Sequence, residues 1–163
     1  ALFNTNYERN TVAFQRKHAI ELLEASEIEN SVFGNKRISK KQYNKLIQNS
    51  KVVLSLFGWG EICYRDLEAF VNGAALLMPD MSHIETWPNF YMPYKTYHPI
   101  KWDLSNMIDG YKKLIQDNEY RKNIAHMGQE TYKAQWTKEG KKFFCTRLKM
   151  IIDGTTGELQ TLS

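Results

Sequence analysis

Cysteine is scarce in this sequence: Cys63 and Cys145 are the only two in 163 residues. So few, so far apart, exclude a disulfide scaffold and a cysteine-built metal cluster. We read both as free thiols of a reducing, cytoplasmic setting, with a single bridge between them as the alternative. Long apolar runs are lacking. None approaches the roughly 20 residues of a membrane span, and no stretch has the build of a signal peptide. An initiator Met is absent, since the chain starts Ala1-Leu2-Phe3, as a fragment or a trimmed chain would. Charge of one sign is in small excess. The formal net charge of +4 suits an anionic ligand such as a nucleotide, but it is too weak to imply nucleic acid. The pairs Lys40-Lys41, Lys112-Lys113 and Lys141-Lys142 fall in helical patterns and read as solvated faces. No metal-ligand set is visible, and no Gly-Lys-Ser/Thr of a P-loop occurs.

What is present is an alternation. Length and composition fit one domain over residues 1–163, large enough to bury a core. Residues 1–4 end a first strand, and Thr11 caps a helix with Phe14, Ala19, Ile20, Leu22 and Leu23 on its apolar face. Arg16, Lys17, Glu21 and Glu24 lie opposite. Residues 28–33 read as a strand and Gly34-Asn35 as a turn. Ser39 caps a short helix with Tyr43, Leu46 and Ile47 on one face. The run 52–57 is almost wholly apolar, as in a strand covered on both faces. A helix at 62–72, with Leu67, Phe70 and Val71 inward, stops at Gly73. A second buried strand covers 74–78. The proline- and aromatic-rich stretch 81–101 has short strands at 90–92 and from Tyr97-His98. Helices follow at 104–115, capped by Asp103 or Ser105, at 119–136 and at 138–152, with a frayed tail from 153 to 163. Strand–helix repeated about four times and then a run of helices predicts α/β architecture. The expected form is a Rossmann-like open parallel sheet with helices on both faces.

Ligands of such sheets bind beyond the carboxyl ends of the strands. Gly58-Trp59-Gly60-Glu61 leaves one such end and opens a helix, whose free N–H groups favour phosphate. It reads Gly-x-Gly-x-x-Cys, without the third glycine of a dinucleotide fingerprint. Within the helix, Glu61, Arg65, Glu68 and Asn72 are spaced to share a face. That arrangement is either a surface Glu–Arg–Glu ladder or a ligand-binding face, with Arg65 on a diphosphate and Glu68 on ribose hydroxyls. Asp80, Ser82, His83 and Glu85 follow the second buried strand and reach the same edge. His83 is a candidate acid or base, and the alternative is a loop histidine bonded to backbone. His18 and His126 read as surface or packing residues. Trp87, Trp102 and the tyrosines of 90–97 are core aromatics or stacking surfaces.

Arg65-Asp66-Leu67-Glu68-Ala69-Phe70-Val71-Asn72-Gly73-Ala74, followed by an apolar strand and Pro79-Asp80, resembles the donor-binding domain of GT-B glycosyltransferases. The branch it is most similar to is the group 1 branch that includes spore-maturation-type proteins, whose pattern is R-x-x-E-A-x-x-x-G-A. The helix at 104–115, the break Asp117-Asn118-Glu119-Tyr120-Arg121 and the helix ending near Trp136 extend the likeness over about residues 45 to 145. It implies that Glu68 is the second glutamate of a Glu-x7-Glu motif and binds the ribose. The first glutamate falls at Gly60, one residue from Glu61. Arg65 is implied at the phosphate, with Gly58, Trp59, Gly60, Tyr64 and Asp80 around the donor, and the loop 33–37 near the base. Glu61 and His83 are the candidate catalytic groups. The absence of Asp-x-Asp disfavours the metal-dependent GT-A type.

The expected function is then transfer of a glycosyl group from a nucleotide-diphosphate sugar to a saccharide or other hydroxyl acceptor. The nucleotide sugar is a substrate, and no separate cofactor or metal is expected. The likeness implies an N-terminal GT-B partner domain missing from this chain, little transfer by this domain alone, and room for peripheral membrane association of the full protein. The alternatives are a non-catalytic nucleotide-sugar-binding domain and a flavodoxin-like interaction domain.

Overall fold

The computed structural model describes residues 10–26, 28 and 38–154, apart from the side chains of 10–12. The chain runs α1 (Asn10–Ala25), α2 (Lys40–Gln48), β1 (Val52–Leu54), α3 (Tyr64–Asn72), β2 (Ala75–Pro79), β3 (His98–Ile100), α4 (Met107–Gln116), α5 (Asn118–Ala134) and α6 (Lys138–Ile152). The strands expected at 1–4 and 28–33 (Ile28 apart), the Gly34-Asn35 turn, the loop 33–37 and the tail from 155 lie outside the described residues.

The three strands form one parallel sheet in the order β1-β2-β3. Val52 stands beside Ala75, and Leu77 is flanked by Leu54 and His98. This is an α/β arrangement compatible with a Rossmann-like fold. The side-chain alternation of a strand explains how β2, buried at every residue, divides the core. Ala75 and Leu77 pack with Ala19 and Leu23 of α1 and with Met107 and Leu114 of α4. Leu76 and Met78 face the other way, onto Ala69 and Phe70 of α3. Helices therefore cover both faces of the sheet. Pro99, with no N–H to give, sits in β3, an outer strand among those described. Among the described residues no helix is long and apolar enough to cross a membrane.

Several boundaries differ from the sequence expectation, each for a local reason. The apolar run from Val52 is a strand only to Leu54. One more rung, Ser55 N–H to Leu77 O at 2.9 Å, carries it forward before the glycine turn takes over. Helix α3 starts at Tyr64 because Asp66 reaches back to the Cys63 N–H at 3.0 Å. It stops at Gly73, whose φ of 65° is left-handed. Phe70 is buried and Leu67 half-buried as expected, whereas Val71 is 48% exposed. In α1, Phe14 is 72% exposed and not part of the apolar face. The helix begins at Asn10, so Thr11 is not its cap. Ser39 does cap α2: its Oγ accepts from the Gln42 N–H, and Gln42 Oε1 accepts from the Ser39 N–H. Neither Asp103 nor Ser105 caps α4, which begins after Asn106. No strand forms at 90–92; a single bridge joins Pro93 and Tyr97 instead.

The far end of β3 carries a titratable cluster. His98 Nδ1 lies 2.9 Å from the Tyr120 hydroxyl. Its ring meets Tyr94 edge-on and packs on Gly110, where a Cβ would come within 3.0 Å of it. Burial, helped by the nearby Lys113 charge, holds its pKa below the ordinary 6.5. The unfolded chain then takes up the proton first as pH falls. The stability this neutral ring contributes is complete above about pH 6.5 and drains away below it. We expect the urea midpoint to fall between pH 7 and pH 5, and to fall less steeply in His98→Gln. Equal slopes in the two proteins would refute this.

Candidate functional site

The carboxyl ends of β1, β2 and β3 deliver three loops to one edge of the sheet, and α1 adds side chains from the far end of the sequence. The β1 loop turns tightly, with the Gly58 N–H bonded to Gly60 O at 3.0 Å. Arg16 of α1 donates from Nε to Phe57 O at 3.0 Å. A Cβ on Gly58 would stand 3.2 Å from Arg16 Nη2 and 3.3 Å from Cys63 Sγ. Glycine is therefore what lets the guanidinium lie against the turn. Burial, and after it the Arg65 charge, pulls the Arg16 pKa below its ordinary 12.5. Arginine remains a cation even so. Two guanidiniums close enough to repel, beside the first turn of α3, form a site that an anion stabilises.

One turn along α3, Glu68 accepts at Oε2 from the Tyr43 hydroxyl of α2, 2.6 Å away. Burial, and then the bond to Glu68, push the phenol up to about 12. Arg65 lies against the same phenol and offsets part of that rise.

Glu61 is not on the helix face. It stands in the loop before α3, and its Oε2 lies 2.9 Å from His83 Nε2 in the loop after β2. This pair ties the two loops together. Trp102, just beyond β3, sits under it. The indole meets the His83 ring at 4.9 Å and Phe57 at 5.1 Å. It also donates to Asp80 O at 2.9 Å, while its own carbonyl accepts from Gln15 of α1. Asp80 is occupied locally. Its oxygens accept from the Ser82 N–H and hydroxyl and from the Tyr97 hydroxyl. The Ser82 hydroxyl bond is the main reason its pKa is lowered. An imidazole paired with a carboxylate at a solvent-facing edge can accept and return a proton.

Of the residues expected around the donor, Gly58 and Gly60 form the turn, Arg65 stands in the first turn of α3 against Tyr43, and Glu68 follows one helical turn beyond. Trp59 and Tyr64 project outward, 85% and 87% exposed. His83 and Glu61 meet each other. Asp80 serves its own turn. Two contributors escaped sequence reasoning. Arg16 has the pattern of a solvated helix face and Tyr43 that of an apolar one. Each is recruited by a contact at least 20 residues away in sequence, for which periodicity offers no signal. Trp102, read as a core aromatic or a stacking surface, lies at this edge against His83 and Phe57. Both cysteines are free thiols. Burial, followed by Asp66, raises the Cys63 pKa, which leaves a poor nucleophile. No group of three or more His, Cys, Asp or Glu side chains is gathered as a metal site among the described residues. No family model, curated protein or solved structure matches this chain.

Proposed function

We propose that this chain is the donor-binding domain of a GT-B glycosyltransferase, of the group 1 branch, which moves a glycosyl group from a nucleotide-diphosphate sugar to a hydroxyl acceptor. The observation that carries this reading is the pair of guanidiniums. Arg16 lies against a glycine turn on the carboxyl edge of a parallel sheet, and Arg65, in the first turn of the helix that follows, is near enough for its charge to act on Arg16. There they supply the positive charge that a departing diphosphate needs. Glu68 holds the ribose. The acceptor oxygen attacks the anomeric carbon as the bond to the diphosphate oxygen breaks. The hydroxyl proton passes to a base, for which His83, oriented by Glu61, is this edge's candidate. Trp59 and Tyr64 offer exposed aromatic faces to the sugar or base. The acceptor is held by a second domain across the cleft, and the domain described here binds donor and transfers little by itself.

Titration calorimetry with UDP, GDP and their sugars tests this. The wild type is expected to bind one diphosphate family in the micromolar to millimolar range. Arg65→Ala and Glu68→Ala should each weaken binding by about ten- to a hundredfold, the size of a lost charge-assisted contact. Binding without turnover when the partner domain is supplied would indicate a non-catalytic nucleotide-sugar domain. No binding at millimolar concentration would rule out both and leave a flavodoxin-like interaction domain.

A further inference from the structure

We propose that α6 is an interfacial helix that docks on an anionic lipid surface, with its outer apolar row sunk among the acyl chains and its cations against the headgroups. None of its residues belongs to the carboxyl-edge site. The direction of α6 is set where it starts. The Thr137 hydroxyl donates to Ala134 O at 2.8 Å and accepts from the Gly140 N–H at 3.0 Å. A Cβ on Gly140 would collide with the Ala134 carbonyl oxygen, so glycine is what lets the helix turn off α5 this tightly. Just beyond, the Trp87 ring packs on Phe143 and Phe144, with centroids 5.5 Å and 5.7 Å away. Phe143 and Met150 are half-buried, so this side of α6 faces the domain. Phe144, Leu148, Ile151 and Ile152 fall at i, i+4, i+7 and i+8, one apolar row along the helix. Such a row normally lies on a core. Here all four side chains are exposed, and at the helix end Ile151 and Ile152 are 66% and 74% exposed.

Charge decides what covers the row. Helix α6 carries five cations, Lys138, Lys141, Lys142, Arg147 and Lys149, against one acid, Glu139. That excess equals the +4 of the whole chain, so the rest of the protein is formally neutral and its positive charge is concentrated on this helix. At 3.6 residues per turn, Arg147 borders the apolar row on one side, and Lys138 and Lys149 border it on the other. Long cationic side chains on both borders lie along a flat surface and put their charges in the headgroup layer while the row enters the acyl boundary. A second copy of α6 would bring like charges together, and a nucleic-acid backbone would leave the aliphatic row in water. An anionic bilayer satisfies both the charge and the row.

Co-sedimentation tests this with phosphatidylcholine vesicles and with vesicles in which about a third of the lipid is phosphatidylserine. The chain should bind the anionic vesicles about tenfold more tightly than the neutral ones. It should lose most of that preference as salt rises from roughly 0.1 M to 1 M. Leu148→Gln and Ile151→Gln should each weaken binding to the anionic vesicles about tenfold, the effect of returning one apolar side chain to water. Lys149→Glu should weaken it about tenfold as well. All three side chains are exposed, so the urea midpoints of these variants should match wild type. No binding to either vesicle, or equal binding to both, would overturn the proposal. Anionic binding that survives both glutamine variants would also overturn it, since charge alone would then carry the contact. The same holds for a dimer in sedimentation velocity that Ile151→Gln dissolves, since a second copy would then cover the row.

Discussion

Gly128→Ala is expected to destabilise the protein by about 2 kcal/mol, although alanine is the better helix former. Gly128 lies inside α5, where alanine's propensity alone would add about 1 kcal/mol of stability. The added Cβ, however, would stand 2.6 Å and 2.8 Å from Phe70 Cδ1 and Cε1, and 3.1 Å from the Thr96 carbonyl oxygen. Phe70 is fully buried on α3 and is backed by the Phe90 ring at 6.2 Å, so it has little room to retreat. The Thr96 oxygen is backbone. Packing therefore outweighs propensity. Chemical denaturation of wild type, Gly128→Ala, Phe70→Leu and the double variant would show it. The smaller leucine should recover part of the loss, giving a favourable coupling between the two positions. A Gly128→Ala protein as stable as wild type would mean that α5 does not press on α3 as described.

Asp66→Ala is expected to cost about 3 kcal/mol, whereas Asp66→Asn should stay within about 1 kcal/mol of wild type at pH 7. Asp66 is wholly buried. Its Oδ2 accepts from the Cys63 N–H at 3.0 Å and from the Tyr91 hydroxyl at 2.9 Å. Alanine would leave both donors buried without a partner. Asparagine keeps an acceptor for both and turns its amide toward Ser55, whose Oγ, like Asp66 Oδ1, is buried without a well-formed hydrogen bond. Burial raises the Asp66 pKa above the ordinary 3.8, and the neighbouring Ser55 hydroxyl, the Cys63 N–H and Tyr91 offset part of that rise. A raised carboxylate favours the folded state below its unfolded pKa, and this contribution fades as pH climbs through the folded value. Asp66→Asn should therefore gain on wild type between pH 4 and pH 7. Denaturation curves across that range would contradict the account if the gap were constant.

How far the sequence could be read depended on the range of the interaction that decided each feature. Ser39 with Gln42, the left-handed stop at Gly73 and the helix at 138–152 are settled within a few residues, and each stands where local chemistry put it. Parallel pairing followed from the apolar runs before and after α3, because a strand buried on both faces leaves few other architectures. The boundaries that shifted were decided by partners remote in sequence. Phe14 and Val71 satisfy the helical period but face solvent. Glu61 satisfies the spacing of a helix face but precedes the helix and meets His83 instead. Asp66 sat inside the motif that carried the resemblance, yet its neighbours gave no sign that it would be buried against Tyr91, 25 residues on.

The bond from Arg16 to Phe57 spans 41 positions of the chain. The segment from β1 to β2 carries one of the two guanidiniums, Arg65, and α1 carries the other, Arg16. This pattern of positive charge thus belongs to no continuous stretch of the chain. It comes into being only when the first helix closes over a turn laid down much later.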